Sequence, residues 1–103
     1  MIGGYVYILS NHARSVLYVG VTNNLERRIF EHRNNQGCSF TKKYRCMSLL
    51  YYEIFEKITD AILREKQLKN WHREWKLNLI RSFNPNLKDL SLEWMLDPET
   101  SSG

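Results

Sequence analysis

Cysteine is scarce: Cys38 and Cys46 are the only two in 103 residues. They are too few for a disulfide framework, and too few and too widely spaced for a zinc set, so ordinary reduced thiols are expected. Long apolar runs are missing as well. The longest, Val16 to Val21, has the length of a strand, against the ~20 residues that a membrane-spanning helix needs. Met1-Ile2-Gly3-Gly4 leads straight into an aromatic strand pattern, without the basic flank and small-residue cleavage site of a secretory signal. A cytoplasmic protein with no membrane contact is therefore expected. No repeat, low-complexity stretch or linker interrupts residues 4–92. With 43% hydrophobic and 25% charged residues in 12.3 kDa, the chain has the composition of one soluble globular domain, which a disordered chain does not match.

Acidic residues are scarce where basic ones cluster. Residues 1–92 hold all 15 basic residues against 8 acidic, or +7, because Glu93, Asp97 and Glu99 fall in the last eleven positions. Residues 93–103 are accordingly expected as an acidic, flexible tail on a domain formed by residues 1–92. Between Arg27 and Arg45, the cations Arg27, Arg28, Arg33, Lys42, Lys43 and Arg45 face only Glu31. Such a surface attracts polyanions, of which nucleic acid is the commonest in a cytoplasm. Taken alone, the charge is equally explained by solubility.

Tyr5-Val6-Tyr7-Ile8-Leu9 and Leu17-Tyr18-Val19-Gly20-Val21 are rich in aromatic and β-branched residues, and the polar segment Ser10 to Ser15 separates them. A hairpin is predicted. A four-residue turn, Asn11 to Arg14, would set Tyr7 directly opposite Tyr18 on one face. Val6, Ile8, Leu17, Val19 and Val21 then form an aliphatic opposite face. Asn23 is a candidate cap for a following helix, with Glu26 completing a capping box. On that helix Arg28 and His32 fall beside the apolar Leu25 and Ile29, while Arg27, Glu31 and Arg33 point elsewhere. A cation and an imidazole are thus turned toward the sheet, where a charge is costly unless something negative meets it.

Ser48 to Phe55 reads as a third strand, and Thr59 to Asn70 as a second helix. Its inner side carries Ala61, Leu68 and Ile62, with Glu65 between the first two on the helical wheel. A third helix, Arg73 to Ser82, presents Trp75, Leu79 and Ile80 and ends at Asn84-Pro85. Trp71 and Trp75 are expected in the core, and Leu87 to Trp94 to pack back. The fold class is α+β: one small domain, a three-stranded antiparallel sheet flanked by helices.

The order of the inward polar groups carries a resemblance. Tyr5-Val6-Tyr7, Tyr18-Val19-Gly20 eleven residues after Tyr7, Arg28 ten residues after Tyr18, and Arg64-Glu65-Lys66-Gln67 resemble the GIY-YIG nuclease domain, most closely its small standalone bacterial proteins. The likeness extends from Tyr5 to Leu90. It implies a metal-dependent endonuclease acting on DNA, with Tyr7 and Tyr18 as the signature tyrosines and Gly20 as the glycine whose side chain would crowd the site. It further implies Arg28 as catalytic arginine, His32 as the histidine one turn later in some members, and Glu65 as ligand of Mg²⁺ or Mn²⁺. Tyr5 stands where the name-giving motif has glycine, valines replace its isoleucines, and Asn78 matches a further asparagine only loosely.

In the implied hydrolysis, water loses a proton to a tyrosine whose pKa, ordinarily ~10, is lowered by Arg28 and the metal. Tyr7 is the favoured base, with Tyr18 or His32 receiving the proton next. Arg28 also holds a phosphate oxygen. A single carboxylate suits a hard ion that keeps several waters and takes its other contacts from phosphate. Arg27, Arg33, Lys42, Lys43 and Arg45 are the candidate nucleic-acid contacts. A homodimer or a recruiting protein is a further candidate partner. Competing readings are a non-cleaving basic nucleic-acid-binding module on the same fold, and a structural protein in which Arg28 and His32 pair with Glu65. His12 and His72 are read as structural or solvated.

Overall fold

A computed structural model of the chain describes residues 2–34 and 38–92, so the expected tail at 93–103 lies outside the described residues. Three strands, β1 (Gly4–Ser10), β2 (Leu17–Thr22) and β3 (Ser48–Phe55), form one antiparallel sheet in the order β2-β1-β3. Helices α1 (Leu25–Arg33) and α2 (Ser39–Tyr44) lie between β2 and β3, and α3 (Ile58–Lys69) and α4 (Arg73–Phe83) follow. The expected α+β architecture is the one observed, with α2 added. No helix among the described residues is long and apolar enough to cross a membrane.

Because β1 is the central strand, both its faces are covered. Val6 and Ile8 join Val19, Leu50 and Tyr51 under Ala61 and Leu68 of α3 and Ile80 of α4. Tyr7 and Leu9 join Leu49, Cys46 and the α1 residues Leu25 and Ile29 on the other face. Each of these aliphatic side chains contributes about 1.5–3 kcal/mol by leaving water. A bulge makes the division possible: Ile8 pairs with Tyr51 but Leu9 pairs with Leu49. The extra residue, Leu50, then packs with its neighbour Tyr51 on the α3/α4 side instead of alternating away from it.

The hairpin differs from expectation by two residues. Tyr7 lies opposite Gly20 and Tyr18 opposite Leu9, so the connection runs from Asn11 to Val16. Asn11 organises this longer loop: its Oδ1 accepts from the backbone N–H of Ser15 (2.9 Å) and Val16 (3.1 Å). A two-residue slip preserves side-chain parity, so both tyrosines still leave the same face. The α1 cap is Asn24, not Asn23, and its side chain accepts from the Arg27 N–H at 3.1 Å. Trp75 is 56% exposed and Ile62 37% exposed, against the expectation of inward packing. In α4 the core contacts come from buried Ile80 with Leu77 and Leu79 packed against the same cluster, so Leu79 and Ile80 face inward as expected.

The segment after α4 does fold back. Buried Asn84 donates to the carbonyls of Leu50 (3.1 Å) and Lys88 (2.7 Å), and the Leu90 N–H reaches the Leu49 carbonyl at 2.7 Å. Asp89 completes the attachment. It accepts from the Leu49 N–H and forms an ion pair with Arg33 of α1.

Candidate active site

Tyr7 is the centre of the site. It is 1% exposed, held in the middle strand under α1. Its hydroxyl lies 3.2 Å from Nε2 of His32 and accepts from Nε of Arg28 at 3.4 Å. Both partners come from α1, four residues apart and so on one face, with Leu25 and Ile29 anchoring that face to the sheet. Opposite Tyr7 stands Gly20, and any Cβ there would lie 2.4 Å from the phenol's Cζ and 2.5 Å from its oxygen. The edge strand must therefore be bare at this point for the Tyr7 ring to fit.

His32 is also buried, and its Nδ1 lies 2.9 Å from Oγ1 of Thr41. The Thr41 hydroxyl donates its one proton to the Cys38 carbonyl at 3.0 Å, so toward the imidazole it acts as acceptor. That fixes the proton on Nδ1 and leaves the Nε2 lone pair for Tyr7, whose hydroxyl donates to it. Burial, reinforced by the Arg28 charge, lowers the His32 pKa from 6.5 to about 4 although Glu31 opposes the shift. The ring is neutral across the physiological range. Thr41 and α2 were not anticipated. Ser-Phe-Thr-Lys-Lys-Tyr offers only one i,i+4 apolar pair, Phe40 and Tyr44, too short a signal to mark a helix, and a threonine's role as acceptor depends on what lies across from it.

Tyr18 lies diagonally from Tyr7, with ring centroids 6.4 Å apart, and 6.0 Å from the His32 ring. The Tyr7 hydroxyl meets the His32 ring nitrogen, so His32, not Tyr18, is its hydrogen-bonded acceptor. Burial pushes both phenols upward. Arg28 lowers Tyr7 by hydrogen bond and by charge, but burial outweighs it, contrary to the expectation of a depressed tyrosine. Cys38 is not an inert thiol. Burial raises it, yet the neighbouring Tyr18 phenol and the backbone N–H of Thr41 prevail and bring it down to about 7.

Arg28 pairs with Glu31 through Nη1 at 3.1 Å, and among the described residues its Nη2 has no protein partner. Glu65 pairs instead with Lys69, at 2.9 Å, so the suggested Arg28–His32–Glu65 ion network is not formed. Ala61 and Leu68 anchor the α3 face that carries Glu65. On the adjoining face Arg64 fixes the helix to β3 by bonding both carboxylate oxygens of Glu53 while its guanidinium lies over Trp71. Glu65 is close enough to Tyr7 for its charge to be one of the influences raising that phenol.

Among the described residues no three His, Cys, Asp or Glu side chains converge to hold a metal. What the site offers is the Glu65 carboxylate, whose side chain is 14% exposed. That donor fits a hard divalent ion that retains most of its water.

The candidate nucleic-acid contacts separate. Lys42, Lys43 and Arg45 are exposed on or just after α2, the helix that touches His32, with Arg45 closing it at φ 55°. Arg27 is exposed and within 4.0 Å of Glu31. Arg33, expected to face phosphate, instead ties α1 to the C-terminal segment through Asp89 and Ser91. An arginine held by a carboxylate at 10% exposure is a structural fastener.

An antiparallel sheet whose central tyrosine is gripped by an arginine and a neutral histidine defines a small α+β domain with a tyrosine-centred site. The chain belongs to the GIY-YIG family, matching the GIY-YIG catalytic domain over residues 3–78, a span that contains Tyr7, Tyr18, Arg28, His32 and Glu65. The family is one of nucleases, which typically use a divalent metal and take nucleic acid as substrate. The chain is 40% identical over 76 residues to a UPF0213 protein of Staphylococcus saprophyticus, covering 74% of this chain and 92% of that protein. It is 45% identical over 78 residues to a UPF0213 protein of Clostridium perfringens, covering 76% and 83% respectively. The solution NMR structure of a UPF0213 protein from Bacillus halodurans aligns with 28% identity over 95% of this chain and 97% of that one, at a TM-score of 0.48.

Proposed function

We propose that the chain is a divalent-metal-dependent endonuclease that hydrolyses phosphodiester bonds in DNA. The observation that carries this reading is the Tyr7 oxygen, which accepts from Arg28 and donates to the lone pair of His32. With its pKa raised by burial, Tyr7 is not a standing phenolate. It acts as a relay: as water attacks phosphorus, its proton passes to the Tyr7 oxygen while the Tyr7 proton passes to Nε2 of His32. The phosphorus–oxygen bond to the leaving group breaks and solvent protonates that oxygen. Arg28 stabilises the charge that grows on the phenol, and its Nη2 is available to a nonbridging phosphate oxygen. Glu65 would hold the metal, which when bound supplies charge stabilisation at the phosphate.

A non-cleaving nucleic-acid-binding module is the second reading, favoured by Lys69 on the Glu65 carboxylate. Supercoiled, branched and single-stranded DNA incubated with wild type and Glu65→Gln, in Mg²⁺, Mn²⁺ and chelator, separates the two. Wild type should nick or cut with metal, and the variant should bind but not cut. Equal behaviour of the two proteins throughout would remove the nuclease assignment.

A further inference from the structure

The aromatic surface of α2 is not used by the chemistry above. Phe40 and Tyr44, four residues apart, stand side by side with ring centroids at 4.8 Å, each 41% exposed to solvent. Phe40 also abuts Tyr18 at 5.7 Å and an interplanar angle of 30°. Tyr18 in turn flanks His32 and Tyr7. An unbroken series of rings thus leads from the relay to open solvent. Cations accompany its outer end: the Lys43 ammonium sits 5.3 Å from the Tyr44 ring centre, exposed Arg45 follows Tyr44 directly, and Lys42 is exposed on the same helix. No acidic residue occurs between Glu31 and Glu53.

Rings left 41% exposed gain less from burial than core side chains do, and the neighbouring cations favour a partner that carries negative charge. A nucleobase with its phosphates matches both features, since its π-face stacks on the rings while its backbone meets the ammonium groups. Bases inside a duplex already have both faces stacked, so only an unpaired nucleotide has a face to offer. We propose that Phe40 and Tyr44 form a stacking platform for an unpaired base close to the scissile phosphate, and that the substrate is DNA that is single-stranded or locally unpaired. The proposal rests on reading the Tyr7–Arg28 centre as the place where the phosphodiester is cut.

Fluorescence anisotropy with labelled oligo-dT and a duplex of the same length, in chelator so that nothing is cut, tests it on the full chain. Wild type should prefer oligo-dT. Tyr44→Leu, which leaves the Phe40–Tyr18 contact in place, should lose about tenfold of that affinity and leave duplex binding unchanged. Phe40→Leu should behave likewise, and a thermal melt of each variant identifies any loss due to unfolding. Photocrosslinking of 5-iodo-deoxyuridine oligonucleotides should label Phe40 or Tyr44 in the wild type, which requires no variant to fold. Wild-type affinity in both folded variants, equal preference for duplex, or crosslinks only elsewhere would overturn the platform. Cleavage of DNA by the wild type with Mg²⁺ is scored separately. Cleavage without a Tyr44 effect removes the platform alone, and a Tyr44 effect without cleavage removes the nuclease reading and with it the scissile phosphate, leaving Phe40 and Tyr44 as a base-stacking surface only.

Discussion

Acidification from about pH 7 to about pH 5 should destabilise the wild-type fold by about 2 kcal/mol more than it destabilises His32→Gln. His32 is 3% exposed, and burial first, then Arg28, brings its pKa from 6.5 to about 4 in the folded chain. Between those values the unfolded chain binds a proton that the folded chain refuses, so stability rises with pH there. It is fully present above 6.5 and is lost as pH falls toward 4. The slope for one proton is at most ~1.36 kcal/mol per pH unit, and integrating from about pH 7 to about pH 5 gives about 2 kcal/mol. Against a total of roughly 5–15 kcal/mol for a domain this is large. Urea unfolding followed by tryptophan fluorescence at both pH values measures it. Carboxylates titrate in both proteins, and glutamine keeps a side chain of similar reach that does not titrate, so the difference isolates the imidazole. The same pH dependence in both proteins, or a folded-state His32 NMR titration near 6.5, would refute the reasoning.

Gly20→Ala should destabilise by about 1–3 kcal/mol and cut cleavage at least tenfold, because the Cβ would lie 2.4 Å from a Tyr7 ring that has no room to move. A variant that melts and cleaves as wild type would remove the steric argument. Thr41→Val removes the acceptor for Nδ1–H at a cost of about 1–3 kcal/mol, and ¹⁵N NMR of His32 should show a mixed tautomer that Thr41→Ser restores. Asp89→Ala should cost about 3 kcal/mol in denaturant unfolding, since Arg33 and the Leu49 N–H lose one shared acceptor. Lys69→Met should lower the Mg²⁺ concentration for half-maximal cleavage about twofold, the value of one helical i,i+4 ion pair. An unchanged or higher requirement would mean that Lys69 does not compete for the carboxylate.

By itself the sequence determined which residues share a face. Alternation in Tyr5–Leu9 and Leu17–Val21 puts Tyr7 and Tyr18 together whatever even slip the hairpin takes, and helical spacing puts Arg28 and His32 on the α1 face held by Leu25 and Ile29. The order and spacing of these groups also sufficed to indicate the family. Only the tertiary structure decided what each group meets. Gly20 faces Tyr7 because the loop is six residues long, a length set by Asn11 side-chain bonds. Arg33 was drawn away to Asp89, 56 residues on, and Glu65 to Lys69. Thr41 fixed the His32 proton from a six-residue helix too short to show a clear apolar period. Periodicity is a local property of the backbone. Hydrogen-bond partners and the balance of burial against charge depend on contacts between segments distant in sequence, and those exist only once the chain has folded.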